Sequence, residues 1–282
     1  RKMTRDVNTL FLRAVGGMGN RLLPLLASLD GIKGSGHAFA LNWPTSYRGT
    51  SSHALKESNF PLCVSELYNV NFPMLTEGEW RAVNHEGLPA YGLRHTQLGV
   101  AQMQASARPV PFADYKDSSL VVEAHGWLNV DGNGWQLVQR MAELDDEHLK
   151  LHDEQQEVRD QVLKSFGGRP TVGVYMRQLH PKLKSWDAYG RIVPQMRQHI
   201  KKDPATLFFV ISECPRTVQQ LKEEFGDRNI VTTPKPGVMN HPEEMKGVVV
   251  DIEVMRHVGV YYPTYGSGMA RLMSAMRGEE II

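Results

Sequence analysis

The amino-acid sequence predicts an α/β protein in which parallel strands are covered by helices on both faces. Three observations point there. Short apolar runs recur in the C-terminal half at the spacing of β–α–β units: Pro170-Thr-Val-Gly-Val-Tyr-Met-Arg177, Leu207-Phe-Phe-Val-Ile211, Ile230-Val231 and Val258-Gly-Val-Tyr-Tyr262. Helical patterns separate these runs, and that alternation selects a parallel sheet. The N-terminal end shows a strand, a glycine-rich turn and an apolar helix in succession. In such sheets ligands bind beyond the carboxyl ends of the strands. This chain places Arg177, Ser212, Glu213, Thr232, Thr233, Thr264, Tyr265 and Ser267 at those ends, a set dominated by hydroxyls.

With 282 residues the chain is long enough for two domains of ordinary size. The expected division is 1–168 and 169–282, near the end of a charge-rich helical stretch. Thirty-two basic and 31 acidic residues give a net charge of +1, so no nucleic-acid partner or membrane surface is implied by bulk electrostatics. An anion has to be bound locally. Cys63 and Cys214 are the only cysteines. They have no metal-ligand partners at standard spacing, which suits a reducing compartment and excludes a disulfide scaffold. No apolar run has the length of a membrane span and the first residues lack the apolar stretch of a signal peptide. The expected location is cytoplasmic or otherwise soluble and intracellular, with room for a removed signal or anchor.

In chain order, Asn8–Val15 reads as the first strand. Gly16-Gly-Met-Gly-Asn-Arg21 follows as the turn, and Leu22–Leu29 as a helix with Pro24 in its first turn, where proline is tolerated. Such a turn is either simply tight or a cradle that aims backbone N–H groups and a positive helix end at an anion. It matches neither the dinucleotide fingerprint nor the P-loop. His37–Trp43 is the next strand; Pro44 to about Val121 reads as short helices and loops. Leu120–Trp127 resembles a strand, and Asp131-Gly-Asn-Gly-Trp135 a turn. Trp135–Phe166 is expected to be helical, stopped by Gly167-Gly168. The strand ending at Arg177 leads into a basic loop through Asp187. Helices are expected over Ala188–Lys202, Pro215–Phe225 and Glu243–Met255. Asp251 falls among apolar neighbours in the last of these. A buried carboxylate is costly unless paired, so Asp251 should have a partner. Finally, Pro263-Thr-Tyr-Gly-Ser-Gly-Met269 turns into the last helix as a second phosphate-type cradle.

Five of these stretches in this order resemble a known family: Gly16-Gly-Met-Gly-Asn-Arg-Leu22, Val172-Gly-Val-Tyr-Met-Arg177, Phe208-Phe-Val-Ile-Ser-Glu213, Asp251-Ile-Glu-Val-Met255 and Thr264-Tyr-Gly-Ser-Gly268. The family is the α1,2/α1,6/protein O-fucosyltransferase superfamily, nodulation fucosyltransferases included. The resemblance implies a GT-B fold, two Rossmann-like domains facing across a cleft, and an inverting, metal-independent glycosyltransferase. It implies no cofactor and no metal site, with a nucleotide-sugar donor and an oligosaccharide or glycoprotein glycan acceptor as partners. By position Arg177 matches the family arginine that contacts the donor diphosphate. A planar guanidinium can bind phosphate oxygens bidentately and neutralise a departing diphosphate. Further donor ligands on the same footing are Gly17, Gly19, Asn20, Arg21, Tyr175, Ser212, Glu213, Asp251, Tyr265, Gly266, Ser267 and Gly268. Tyr175 stands where the family has histidine and Gln178 where it has a second arginine. The donor therefore stays open between GDP-fucose and another such as UDP-xylose.

Inverting transfer needs a base for the acceptor hydroxyl. Asp187 and His180 are candidate catalytic residues beside Arg177, and Glu123, His125 and Asp131 are candidates in the N-terminal half. An ionised carboxylate beside Lys182 and Lys184 remains available as a base near neutral pH, which favours Asp187. Trp186 offers a stacking surface for a sugar or a packing residue. A non-catalytic nucleotide- or glycan-binding protein on the same fold is the alternative. A Rossmann-type dehydrogenase ranks below both, because both glycine turns have the wrong spacing.

Overall fold

A computed structural model describes residues 8–47, 58–83, 93–95, 101–105, 109–110, 118–125, 129–130, 134–177, 188–237, 241–264 and 267–279. The chain divides into two compact units, Arg1–Lys150 and Leu151–Ile282. Each is α/β with its own predominantly parallel sheet, the two-domain Rossmann-like class expected from the sequence.

In the first unit, β1 (Thr9–Val15) pairs in parallel with β2 (Ala38–Asn42) and with β10 (Leu120–His125). Met74–Leu75 (β6), Ala101–Ala105 (β8) and Leu93–His95 (β7) complete a sheet of order β6-β2-β1-β10-β8-β7, in which only β7 runs antiparallel to its neighbour. Strand β8 lies in the stretch expected to be irregular. Its sequence, Ala-Gln-Met-Gln-Ala, alternates apolar residues with glutamines over five positions and shows no continuous apolar run. Two-residue pairings join β3 (Ser46–Tyr47) to β4 (Ser58–Asn59), β5 (Asn69–Val70) to β12 (Leu149–Lys150), and β9 (Pro109–Val110) to β11 (Asn129–Val130). Helix α1 (Met18–Gly31) begins four residues before the expected Leu22, so Gly19, Asn20 and Arg21 lie inside it and Pro24 in its second turn. The reason is legible in hindsight: Met18, Leu22, Leu25 and Leu29 form one buried stripe at helical spacing. The first unit also holds α2 (Val64–Leu67), α3 (Glu77–Val83) and α4 (Gly134–His148). Phe11, Ala40, Leu75, Trp80 and Val121 pack as one core cluster.

The helix expected over Trp135–Phe166 is two helices, α4 and α5 (Asp153–Ser165), broken where Leu149-Lys150 pairs with Asn69-Val70. His152 opens α5 with a backbone N–H donating to Gln155 Oε1 at 2.9 Å. Buried Leu149 and Leu151 tie down the break.

In the second unit β13 (Thr171–Met176), β14 (Leu207–Ser212), β15 (Ile230–Val231) and β16 (Val260–Tyr262) form an all-parallel sheet of order β15-β14-β13-β16. Helices α6 (Ala188–Lys202) and α7 (Pro215–Phe225) supply Ile192, Val193, Met196 and Leu221 to a core with Val172, Val174, Met176, Phe208 and Val210. Helix α8 (Pro242–Met255) packs on α5, and α9 (Gly268–Met276) closes the unit. At Gly173 a Cβ would lie 2.2 Å from Met255 Sδ and 2.7 Å from Val258 Cγ2, so the end of α8 sits directly on the strand backbone. No helix among the described residues is long and apolar enough to cross a membrane.

Candidate functional site

The carboxyl edge of the second sheet gathers most of the chemistry. Arg177 is the first residue past β13 and is held by its backbone: its N–H donates to Thr264 Oγ1 at 2.9 Å, and the same hydroxyl donates to Tyr175 O at 2.6 Å. Thr264 is fully buried and thus ties the ends of β13 and β16 together. Ser267, also buried, is the N-cap residue of α9. Its Oγ accepts from Arg177 Nη1 at 3.3 Å and lies 3.3 Å from Tyr175 Oη. Burial pushes the Tyr175 phenol up from its ordinary value, reinforced by the Glu213 carboxylate, so it stays a neutral hydrogen-bonding group at physiological pH. A guanidinium, two hydroxyls and the positive end of a helix therefore converge at one point.

From the neighbouring strand, Glu213 Oε1 lies 3.5 Å from Arg177 Nε. Burial pushes the Glu213 carboxyl up, and the Arg177 and Lys235 cations pull it part of the way back. Ser212 ends β14, and its hydroxyl accepts from the backbone N–H of Cys214 at 3.2 Å. Both cysteines are free.

After β15 the chain runs Thr232-Thr-Pro-Lys-Pro-Gly237. Lys235 ion-pairs with Asp251 Oδ2 and lies 3.8 Å from Glu244 Oε1. This is the partner that buried Asp251 required. Burial still raises the Asp251 carboxyl, with Lys235 and the Thr233 hydroxyl opposing that rise. The lysine stem reaches Asp251 across Gly247, where a Cβ would sit 2.3 Å from Lys235 Cγ. Glu244 also accepts from Gly237 N–H at 2.8 Å, fixing the turn that carries the lysine.

The structure thus brings Tyr175, Arg177, Glu213 and Ser267 together, with Gly268 opening α9 behind Ser267 and Ser212 and Asp251 on the same edge. Lys235 and Glu244 were not singled out from sequence. The available signal was a charged residue between two prolines just past a strand, in the position where such folds bind ligands.

In the first unit, Gly17 is the extended N-cap residue of α1, with Gly19 and Asn20 in the first turn. Arg21 is fully buried: Nε donates to Gly16 O at 2.7 Å, Nη1 donates to Pro44 O at 2.8 Å, and the guanidinium stacks 4.4 Å from the Phe60 ring and 5.1 Å from Trp43. Burial pushes its pKa down to about 9, helped by Arg13. Arg21 therefore braces the glycine turn. Glu123 lies 3.5 Å from Arg13 Nε, which also donates to Glu77 through Nη1. His180, Asp187, Trp186, Asp131, Tyr265 and Gly266 lie outside the described residues, as does the His125 side chain.

No protein-family model matches the chain, and no curated protein matches it. Solved structures do. The chain is similar to the fucosyltransferase NodZ from Bradyrhizobium, with a TM-score of 0.57 at 14% identity over 94% of this chain and 92% of that one. NodZ α-1,6-fucosyltransferase soaked with GDP-fucose gives the same score and identity over 95% and 92%. Arabidopsis thaliana FUT1 in complex with GDP gives a TM-score of 0.61 at 9% identity over 99% of this chain and 70% of that one. The fold of this chain is accordingly the GT-B fold of these solved structures, the fold that the resemblance of its five motifs implied.

Proposed function

We propose that the chain is a glycosyltransferase that moves a sugar from a nucleotide-sugar donor to a glycan hydroxyl, by an inverting mechanism that needs no metal. The observation that carries the reading is the convergence of Arg177, Ser267, Tyr175 and the start of α9 at the carboxyl edge of the second sheet. That cluster is built for phosphate oxygens: two directed N–H groups on a guanidinium, hydroxyls that can donate, and a helix N-terminus. The fold likeness to proteins solved with GDP and GDP-fucose supports the same ligand class.

The acceptor hydroxyl attacks the anomeric carbon as its proton passes to a base, and the nucleotide diphosphate leaves from the opposite face. Arg177 neutralises charge growing on the diphosphate, which makes it stronger in the transition state than in the ground state. Asp187 is the proposed base and His180 the second choice. Both follow Arg177 in the chain. GDP-fucose and UDP-xylose are the donors to compare.

A thermal-shift panel of GDP, UDP, GDP-fucose and UDP-xylose against wild type and Arg177→Ala tests this. A ligand at 100 times its dissociation constant adds about 2.7 kcal/mol, and each kcal/mol moves a chain of this size by about 2–4 °C. One nucleotide class should raise the wild-type midpoint and leave the variant unmoved. A panel in which no nucleotide moves the wild type would sink the proposal.

A further inference from the structure

We propose that Glu213 is the resting counter-ion of Arg177, occupying the guanidinium in the free protein and yielding it, with uptake of a proton, when the diphosphate of a ligand arrives. This deepens the donor-site reading and rests on it. Glu213 reaches Arg177 from the adjacent strand, with Oε1 3.5 Å from Nε. Its other oxygen, Oε2, is buried and has no hydrogen-bond partner among the described residues. A carboxylate with one oxygen on a cation and the other buried and unmet is poorly satisfied, because each lone pair withdrawn from water needs a donor. It is held there by charge and can leave.

The charged and titratable groups that face Glu213 define what happens next. Arg177 and Tyr175 come from β13, Lys235 from the turn after β15, and Glu244 from α8. Lys235 is already committed to Asp251 and Glu244, so it cannot fully replace Arg177 as a partner. A diphosphate on Arg177 would remove the nearest cation from Glu213 and put negative charge beside it. Both changes disfavour its ionised form, and burial already opposes that form. The carboxylate therefore takes a proton from solvent, and the neutral acid can donate to a phosphate oxygen. No bond other than this O–H is made or broken.

The sign is fixed by the chemistry. At low pH the free protein already carries a neutral Glu213, and the ligand meets no competitor. As pH rises through the raised range of this carboxyl, the ionised form competes and binding weakens. The ligand's own phosphate titration adds a second pH effect, which cancels in the ratio of dissociation constants for wild type and Glu213→Gln.

Calorimetry with GDP and with inorganic pyrophosphate, from pH 5.5 to 8.5, measures that ratio. It should be smallest at the acid end and rise toward the alkaline end, wild type being the weaker binder, by up to about tenfold, equivalent to about 1.4 kcal/mol. Infrared difference spectra of wild type alone should show a protonated-carboxyl band appearing when the ligand is added, a readout that does not depend on the variant folding. If GDP binds both proteins with a flat ratio, or no such band appears, the counter-ion role is overturned while the donor-site reading stands. If only pyrophosphate binds and the ratio rises, the role stands and the nucleotide part of the donor-site reading falls. If neither ligand binds either protein, both are overturned.

Discussion

Asp251 shows how much a single residue can disclose before its surroundings are known. Its position among apolar neighbours in α8 demanded a partner, and the partner is Lys235, sixteen residues earlier in the chain. The demand was legible because burying a bare carboxylate is so unfavourable. The identity of the partner was not legible, because nothing local links a proline-flanked turn to the middle of a later helix. Replacing one member strands the other: Asp251→Asn leaves the Lys235 ammonium buried, side chain 9% exposed, against a neutral amide, with Glu244 Oε1 3.8 Å away. The expected cost is about 3–5 kcal/mol, read as a fall in the urea midpoint with unchanged slope, and Lys235→Met in the same chain should restore much of it. Arg21 teaches the reverse lesson. Its place in a glycine-rich turn resembled a ligand position, yet the structure spends its guanidinium on two backbone carbonyls and two aromatic rings.

At the level of elements, the strands of the second unit were legible to within one or two residues, because a strand buried on both faces is an uninterrupted apolar run. Strand β8 was not, since alanine and glutamine carry little of that signal. The break between α4 and α5 was also hidden: the helical pattern continues across Leu149-Lys150, and only pairing with Asn69-Val70 interrupts it. Strand β13 carries the catalytic proposal because its end is fixed from two sides, by Thr264 at the tip and by α8 at Gly173. Gly173→Ala places a methyl against Met255 and Val258, both buried, and is expected to lower stability by about 1–3 kcal/mol through overpacking. Denaturant unfolding of the purified variant measures this, and a midpoint equal to wild type would show that α8 can shift aside at no cost.

For the whole molecule, charge is the informative property. A net charge of +1 on 282 residues leaves no bulk field to draw in an anionic ligand. On the proposed donor reading, recognition has to come from cations placed at short range, the role given to Arg177. The association rate of a fluorescent GDP analogue should therefore change by well under tenfold between about 0.05 and 0.5 M salt, whereas a protein that steers its ligand loses ten- to a thousandfold of rate enhancement as salt rises. Stopped-flow mixing reads this directly. The parallel strands of the second unit were expected from the spacing of its apolar runs, and the choice of their carboxyl edge as the candidate site came from the topology rule for such sheets. What spacing could not supply was the wiring between strand ends. The passage of the Lys235 stem over Gly247 illustrates the point. The long side chain at 235 fits only because 247 has none, so the two positions are sterically one choice. A side chain at 247 would displace the stem at 235, and the acid at 251 would then lose its cation.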